Sequence, residues 1–182
     1  MPFHILGINY QARLSMTLER NIARLFKLTD ENWMKHANPW SVWTRYSVLP
    51  VIVLAFWSRV WIGWWAAIPA VLTLVWIFVN PVFFKKAGST KNWASKSVLG
   101  ERVWSNRDKI EIPVHHKTMP HILNGISSLG MVLSIWAIVT LSIWPAILGI
   151  SLAYLGKSWY LDRMVWVYED MKHIPEYGKW EY

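Results

Sequence analysis

The feature that most constrains the fold is an apolar run from Tyr46 to Phe84, which carries a single charge, Arg59. A straight helix over this run would be roughly 58 Å long at ~1.5 Å per residue, whereas the hydrocarbon core of a bilayer is ~30 Å thick. The run is therefore too long for one membrane helix and about right for two. A second run of the same kind extends from Ile122 to Tyr160, with Lys157 near its end. Each run predicts a helical hairpin that crosses the bilayer out and back.

The composition supports a membrane protein and excludes several kinds of site. Charged residues make up 16% of the chain, compared with about a quarter in soluble domains. The chain is also rich in tryptophan, with 15 residues, and tryptophan concentrates where membrane meets water. There is no cysteine, which excludes disulfides, thiolate metal sites and cysteine nucleophiles.

The distribution of basic residues predicts the topology. Met1–Arg45 has six Lys/Arg against three acids, and Pro81–Pro120 has eight against three, whereas the hairpin tips carry only Arg59. By the positive-inside rule both basic segments are cytoplasmic, as is the C-terminus after four crossings. The net charge of +8 then reflects topology and attraction to anionic lipid headgroups, and we expect no nucleic acid partner. Arg59 is interpreted as an interfacial anchor, with a buried functional arginine as the alternative.

The predicted fold class is all-α: a polytopic membrane protein with four transmembrane helices in two hairpins, plus cytoplasmic amphipathic helices. The single membrane domain divides into a cytoplasmic arm (1–41), a first hairpin (42–84), a cytoplasmic loop (85–120), a second hairpin (121–160) and a helix extension with a tail (161–182). In the arm, apolar spacing predicts an amphipathic helix over Leu14–Leu28, followed by a short helix through Glu31–Ala37 that Thr29 or Asp30 caps. Whether the two hairpins are a true repeat stays open.

Prolines and glycines predict the boundaries inside the hairpins. We expect a first helix over Val42–Trp61 with a kink at Pro50, a tight turn at Gly63, and a second helix that stops at Asn80-Pro81. The third helix should run from Ile122 to Thr140. The fourth should start near Trp144 with Pro145 in its first turn, and the small residues Gly149 and Ala153 should permit close helix packing.

The central loop and the tail are less regular in sequence. Ser89 or Thr90 is expected to cap a helix that Gly100 breaks, and the aromatic tail that ends at Tyr182 is expected to fray.

Three polar strings face the cytoplasm in this topology: Asn38-Pro-Trp-Ser-Val-Trp-Thr-Arg45, a string that opens Asn92-Trp-Ala-Ser-Lys, and Asp162-Arg-Met-Val-Trp-Val-Tyr-Glu-Asp-Met171. They resemble the strings of an uncharacterised family of small prokaryotic integral membrane proteins, over about Trp33 to Met171. This resemblance implies a location in a prokaryotic cytoplasmic membrane and carries no activity, substrate or cofactor.

A single site could form where these strings meet. The candidate polar cluster consists of Asn38, Trp40, Arg45, Asn92, Lys96, Glu101, Arg102, Asp162, Arg163, Glu169 and Asp170. We expect an accessory or structural protein whose cytoplasmic face binds lipid headgroups or a protein partner, which could be a second copy of the chain. The alternative is a small membrane enzyme that acts on a lipid at the cytoplasmic interface, with or without a metal. Catalytic residues cannot be assigned, because no Gly-rich phosphate loop or nucleophile elbow is present.

Five histidines raise the question of a metal site. His115, His116 and His121 precede the third helix, His173 follows the fourth, and His36 precedes the first, so all could meet on the inner face. Imidazoles with carboxylates suit zinc or iron. However, the short-spaced histidine boxes of membrane di-iron enzymes are missing. We therefore interpret His115 and His116 as polar loop residues near the membrane surface and expect no cofactor, with metal binding as the alternative.

Overall fold

The computed structural model describes residues 29–182, and every regular element in that range is helical. The amphipathic helix predicted over Leu14–Leu28 lies outside the described residues. The helices are α1 (Asp30–His36), α2 (Pro39–Tyr46), α3 (Val48–Trp57), α4 (Arg59–Ile62), α5 (Ala67–Phe83), α6 (Trp93–Ser105), α7 (Met119–Thr140), α8 (Ile143–Met171) and α9 (Pro175–Gly178). Short 3₁₀ turns occupy Gly63–Ala66 and Val114–His116. The all-helical prediction is confirmed over the described range.

The first apolar run folds back on itself at Gly63, as predicted. Gly63 has φ +56°, a left-handed conformation that glycine adopts without a Cβ clash. The returning helix α5 brings the buried amide of Asn80 to 2.7 Å from Ser41 Oγ. The predicted stop at Asn80-Pro81 is wrong, because α5 continues to Phe83. Pro81 removes one helical N–H bond, and the contact of Asn80 with α2 holds this turn in place.

The outgoing arm of this hairpin is broken near Pro50. The predicted single helix over Val42–Trp61 is instead α2, α3 and α4, and it begins earlier, at Pro39. The first break falls at Ser47, immediately after Tyr46. Pro50 cannot donate the helical bond to Tyr46 O, and its ring crowds that carbonyl. The Tyr154 hydroxyl donates to Tyr46 O instead, at 2.7 Å.

The second apolar run forms a closely packed helix pair, α7 against α8. The chain reverses at Leu141, which has φ +53°, and Pro145 lies in the first turn of α8 as predicted. A Cβ on Gly130 would lie 2.3 Å from Ala153 N, and a Cβ on Gly156 would lie 2.6 Å from Ser127 N. The helices therefore touch through their backbones, as small residues permit.

The central segment differs from the sequence prediction in two ways. Asn92, rather than Ser89 or Thr90, caps α6 by accepting from Ser95 N at 2.9 Å. Gly100 does not break α6. It instead allows close packing on α8, because a Cβ at this position would lie 1.8 Å from Met164 O.

The predicted fraying of the tail is also wrong. Thr90 N donates to Tyr182 O at 3.0 Å, and Tyr182 N donates to Thr90 Oγ1 at 2.9 Å. Trp180 is 7% exposed. The tail thus packs beside the start of α6. The two hydrogen bonds between Tyr182 and Thr90 and the buried Trp180 indole offset the conformational entropy that is lost when the tail becomes ordered.

The fully buried core lies at the end of the molecule where α6, the second half of α8 and the tail meet. The hairpins beyond it expose many large apolar side chains. By length and composition, two segments are able to cross a membrane: Pro39–Asn80, which contains the turn at Gly63, and Val114–Thr140.

Candidate functional site

A cavity of about 340 Å³ lies where the kinked arm of the first hairpin meets α6, α7 and α8. We call it the inner cavity. Its polar wall is formed by His36, Arg45, Tyr46, Glu101, Tyr154 and Lys157. Its apolar wall includes Val42, Leu49, Val98, Met131 and Leu161. The cavity therefore combines charged groups with a hydrocarbon surface.

Arg45 is fixed to the main chain of the preceding turn. Its Nε donates to Ser41 O at 3.1 Å, and its Nη2 donates to His36 O at 3.1 Å. Its Nη1 contacts the His36 ring. These bonds form because Asn38-Pro39 turns the chain between α1 and α2, which places His36 and Arg45 side by side. A guanidinium held in this way is pre-organised to bind an anion.

His36 faces two cations in the cavity. Burial, followed by the charges of Arg45 and Lys157, holds the pKa of His36 well below its usual 6.5. The imidazole is therefore neutral at pH 7 and can accept a hydrogen bond from Arg45.

Lys157 and Glu101 join α8 to α6. Lys157 Nζ lies 2.8 Å from Glu101 Oε1 and 4.8 Å from the centre of the Tyr160 ring. Glu101 is the one carboxylate among the described residues that line the cavity, against the two cations Arg45 and Lys157. The cavity wall thus carries a net positive charge.

Two tyrosines close one side of the cavity. Tyr46 Oη is in hydrogen-bond contact with Ser158 Oγ, and Tyr154 Oη donates to Tyr46 O. Their rings pack with centroids 4.7 Å apart. This wall ties the kink of the first hairpin to α8, so the two hairpins hold the cavity between them.

Of the predicted cluster, only Arg45 and Glu101 line this cavity. Asn38 and Asn92 cap helices instead. Asn38 Oδ1 accepts from Trp40 N at 2.9 Å, and its Nδ2 donates to Lys85 O at 2.9 Å. Trp40 itself is exposed.

Three more of the predicted residues lie outside the cavity. Arg102 pairs with Asp30, and its guanidinium lies 3.9 Å above the Trp180 ring. Asp162 accepts from Trp93 Nε1 at 3.2 Å. Arg163 lies on α8 with a buried Nε that has no hydrogen-bond partner among the described residues.

Lys96 and Glu169 belong to an ion-pair network at the far end of α8. Lys96 contacts Glu169 and lies 3.3 Å from Glu181, while Lys172 Nζ lies 2.7 Å from Glu169. Hydrogen bonds from Lys172 and Lys96 lower the pKa of Glu169. This network binds α6, α8 and the tail together and has a structural role.

The four histidines of the loop and the tail lie in three different settings. His115 and His116 both contact Asp170, with Nε2 to Oδ2 distances of 3.1 and 2.9 Å. His121 instead lies against the Trp104 ring, with centroids 5.5 Å apart. His173 Nδ1 lies 2.7 Å from the main-chain oxygen of Asp170 and is exposed.

His36, Lys157 and Tyr154 line the cavity but lie outside the polar cluster that the sequence predicts. Lys157 had a usable signal, because it is the one charge in the second apolar run. Nothing in the sequence pattern indicates that His36 and Tyr154 face the same space, because that depends on how the two hairpins pack.

The family described as "Family of unknown function (DUF6653)" matches residues 17–180 of the chain. This match confirms the expected membership of an uncharacterised family. Searches of curated proteins and of solved structures found no match.

Proposed function

Since the chain belongs to the DUF6653 family, whose function is unknown, we propose its role from geometry: it is an integral membrane protein whose inner cavity binds the anionic headgroup of a membrane lipid. One observation carries the proposal. The inner cavity places the cations Arg45 and Lys157 beside an apolar wall, at the cytoplasmic end of the helices in the predicted topology.

Four membrane crossings are part of the proposal. Besides the two apolar segments already described, α8 has 29 residues and a length of roughly 44 Å, more than the ~30 Å hydrocarbon core. The exposed apolar side chains of α5 and α8 include Leu72, Val75, Val79, Ile147, Leu148 and Leu155. A soluble protein rarely leaves so many such side chains exposed, whereas lipid tails would cover them.

Exposed tryptophans at both ends of the hairpins support the same placement. Trp61, Trp64, Trp65 and Trp144 lie near the tips, and Trp40, Trp43 and Trp159 lie near the opposite ends. Trp64 is 96% exposed. Two belts of indoles are typical of a protein that spans a membrane.

The orientation follows from the positive-inside rule. The basic segments at 1–45 and 81–120 are proposed to be cytoplasmic, and the tips at Gly63 and Leu141 to face outward. The resemblance of the polar strings supports a prokaryotic cytoplasmic membrane as the location.

The chemistry of the cavity suits a phosphate group that is attached to hydrocarbon. Three of the five N–H groups of the Arg45 guanidinium are bonded within the protein, which leaves two for phosphate oxygens, and Lys157 adds a point charge. Leu49 and Met131 supply an apolar surface for the first carbons of an acyl chain. A free anion would use the cations and leave this apolar wall without a function.

An enzyme that acts on the lipid is the less supported alternative. A hydrolytic mechanism needs a nucleophile within reach of a base. Ser127 lines the cavity, but its hydroxyl donates to Ala153 O at 3.3 Å, and the His36 ring is engaged by Arg45. Among the described lining residues these two groups do not form such a pair.

Lipid binding is tested with Arg45→Gln and with the double variant Lys157→Gln/Glu101→Gln, which removes the ion pair without leaving an isolated charge. Native mass spectrometry of purified protein mixed with phosphatidylglycerol or phosphatidylcholine is the measurement. We expect the wild-type protein to retain phosphatidylglycerol preferentially and both variants to lose that preference. Lys91→Gln, an exposed change outside the cavity, is the matched control. An unchanged preference in both cavity variants would overturn the proposal.

The topology has its own test, because the chain has no native cysteine. A cysteine placed at Ser142 should react with a membrane-impermeant thiol reagent in intact cells, and one at Lys109 should react only after the membrane is opened. The reverse pattern would contradict the proposed orientation. Two protected sites would contradict the tip at Ser142.

A further inference from the structure

A second cluster of polar groups lies at the junction of the 3₁₀ turn Val114–His116 with the end of α8. His115 and His116 come from the turn, and Asp170 comes from α8. The nearest ligand atoms of the three side chains all lie within 4.8 Å of one another. None of these residues lines the inner cavity. This cluster is therefore separate from the proposed lipid site.

Two of the three distances between ligand atoms are close to those between neighbouring ligands of a bound metal. In a tetrahedral zinc site with bonds of ~2.0–2.1 Å, adjacent ligand atoms lie about 3.3 Å apart. The two nitrogen–oxygen distances are 3.1 Å for His115 Nε2 and 2.9 Å for His116 Nε2, both to Asp170 Oδ2. A small movement of the side chains away from one another would make room for a cation between the three ligand atoms.

His116 is built into this cluster. Its side chain is 2% exposed, and its Nε2 faces Asp170, whereas its Nδ1 is buried without a hydrogen-bond partner among the described residues. Burying an imidazole with one polar atom unsatisfied costs free energy. Because the His116 ring is buried and its polar contact is with Asp170, this side chain points into the cluster.

The electrostatics of the cluster favour a cation. The Asp170 carboxylate lies within hydrogen-bond distance of Nε2 of both His115 and His116. A carboxylate offers a negative charge to a metal, and each imidazole offers a lone pair when the metal replaces the proton on Nε2.

We propose that His115, His116 and Asp170 form a binding site for a divalent first-row transition metal of the zinc class. Two imidazoles and one carboxylate suit zinc and its neighbours, whereas magnesium and calcium prefer sites made only of oxygen ligands. The side chain of His115 is 66% exposed, so the fourth coordination position opens to solvent and takes a water molecule. The bound ion joins the turn that precedes α7 to the end of α8.

This inference does not rest on the proposed lipid binding, and its experiment uses the metal alone. The full-length protein is purified in detergent with a tag that contains no histidine, stripped with a chelator, and titrated with Zn²⁺ by calorimetry. We expect one zinc per chain and a higher unfolding temperature in its presence, because a ligand that binds the folded state stabilises it.

His115→Gln is the most informative variant, since this exposed side chain contributes little to the fold. We expect His115→Gln and Asp170→Asn to lose stoichiometric zinc binding. His173→Gln is the matched control: this histidine is also exposed and lies near Asp170, but its ring nitrogen contacts a main-chain oxygen. We expect it to bind zinc as the wild type does.

Two results would overturn the proposal. One is a wild-type protein that binds no stoichiometric zinc. The other is a His115→Gln protein that binds zinc as tightly as the wild type, which would place the ion elsewhere. The absorption of Co²⁺ in place of zinc is a second readout. A visible spectrum of the tetrahedral type that disappears in His115→Gln would support the site.

Discussion

The Tyr154 hydroxyl donates a 2.7 Å hydrogen bond to the main-chain oxygen of Tyr46, the carbonyl that Pro50 leaves without a helical donor. The carbonyl left free at the kink of the first hairpin thus accepts its hydrogen bond from a side chain of the second hairpin. The same contact closes one wall of the inner cavity, so the shape of the cavity depends on it.

We predict that Tyr154→Phe lowers the free energy of unfolding by about 1 kcal/mol, because the Tyr46 carbonyl loses its donor. In a Pro50→Ala background the loss should be smaller, since an alanine in place of the proline has a main-chain N–H that can donate the helical bond. A double-mutant cycle measured by chemical unfolding in detergent checks this coupling. Equal losses in both backgrounds would show that Tyr154 does not compensate for Pro50.

The contact between α7 and α8 gives a second prediction. Gly130→Ala should destabilise the protein by about 1–3 kcal/mol, because the new Cβ would lie 2.3 Å from Ala153 N and the helices would have to separate. The measurement is the free energy of unfolding in detergent. Gly125→Ala is a control on the same helix, where a Cβ would meet nothing within 4 Å. It should be neutral or stabilise the protein by up to about 1 kcal/mol, since alanine favours a helix. Equal effects at both positions would contradict the close backbone contact.

The sequence was sufficient for much of the fold. The two apolar runs, the turn at Gly63 and the boundary between α7 and α8 all follow from length, glycine, proline and hydropathy. These signals depend on residues that are close together in the chain, so the sequence alone is enough to predict these features.

The errors arise where distant contacts override a local rule. Gly100 is a helix breaker by propensity, but α6 continues through it because the backbone of α8 packs against that position. The tail is predicted to fray because chain ends usually do, whereas its bonds to Thr90, which is distant in sequence, keep it in place.

The candidate site was predicted only in part for the same reason. Arg45 and Glu101 were expected in one cluster and do line one cavity. However, the sequence pattern could not separate them from Arg102 and Glu169, which have similar charges and form structural ion pairs. Which charges face a cavity is decided by the rotation of each helix, and a polar helix face does not specify this rotation.

His36 gives a prediction about pH. Its pKa in the folded protein is held well below 6.5, so below pH 6.5 the unfolded state binds a proton that the folded state does not. Stability should therefore fall as pH falls below about 6.5, by up to about 1.4 kcal/mol per pH unit until the folded-state pKa is reached.

The checking measurement is the free energy of unfolding between about pH 5 and pH 7, for the wild type and for His36→Gln. The variant should have a flatter profile in this range, because its side chain does not titrate. Arg45 and Lys157 are present in both proteins. His121→Gln is the histidine control and should keep the wild-type slope. If His36→Gln keeps that slope too, another group causes it.

The packed tail supplies the last prediction. Trp180 is buried, and the Arg102 guanidinium lies 3.9 Å above its ring, so Trp180→Ala should remove both apolar burial and a cation–π contact. We expect a loss of about 3 kcal/mol or more in the free energy of unfolding, as for other buried tryptophans. Trp166→Ala is the matched control, because Trp166 is 55% exposed on α8, and it should have a much smaller effect. Thermal unfolding followed by circular dichroism compares the two, and limited proteolysis should cleave the tail of Trp180→Ala first. A tail that stays protected in this variant would show that the bonds between Thr90 and Tyr182 hold it without the indole.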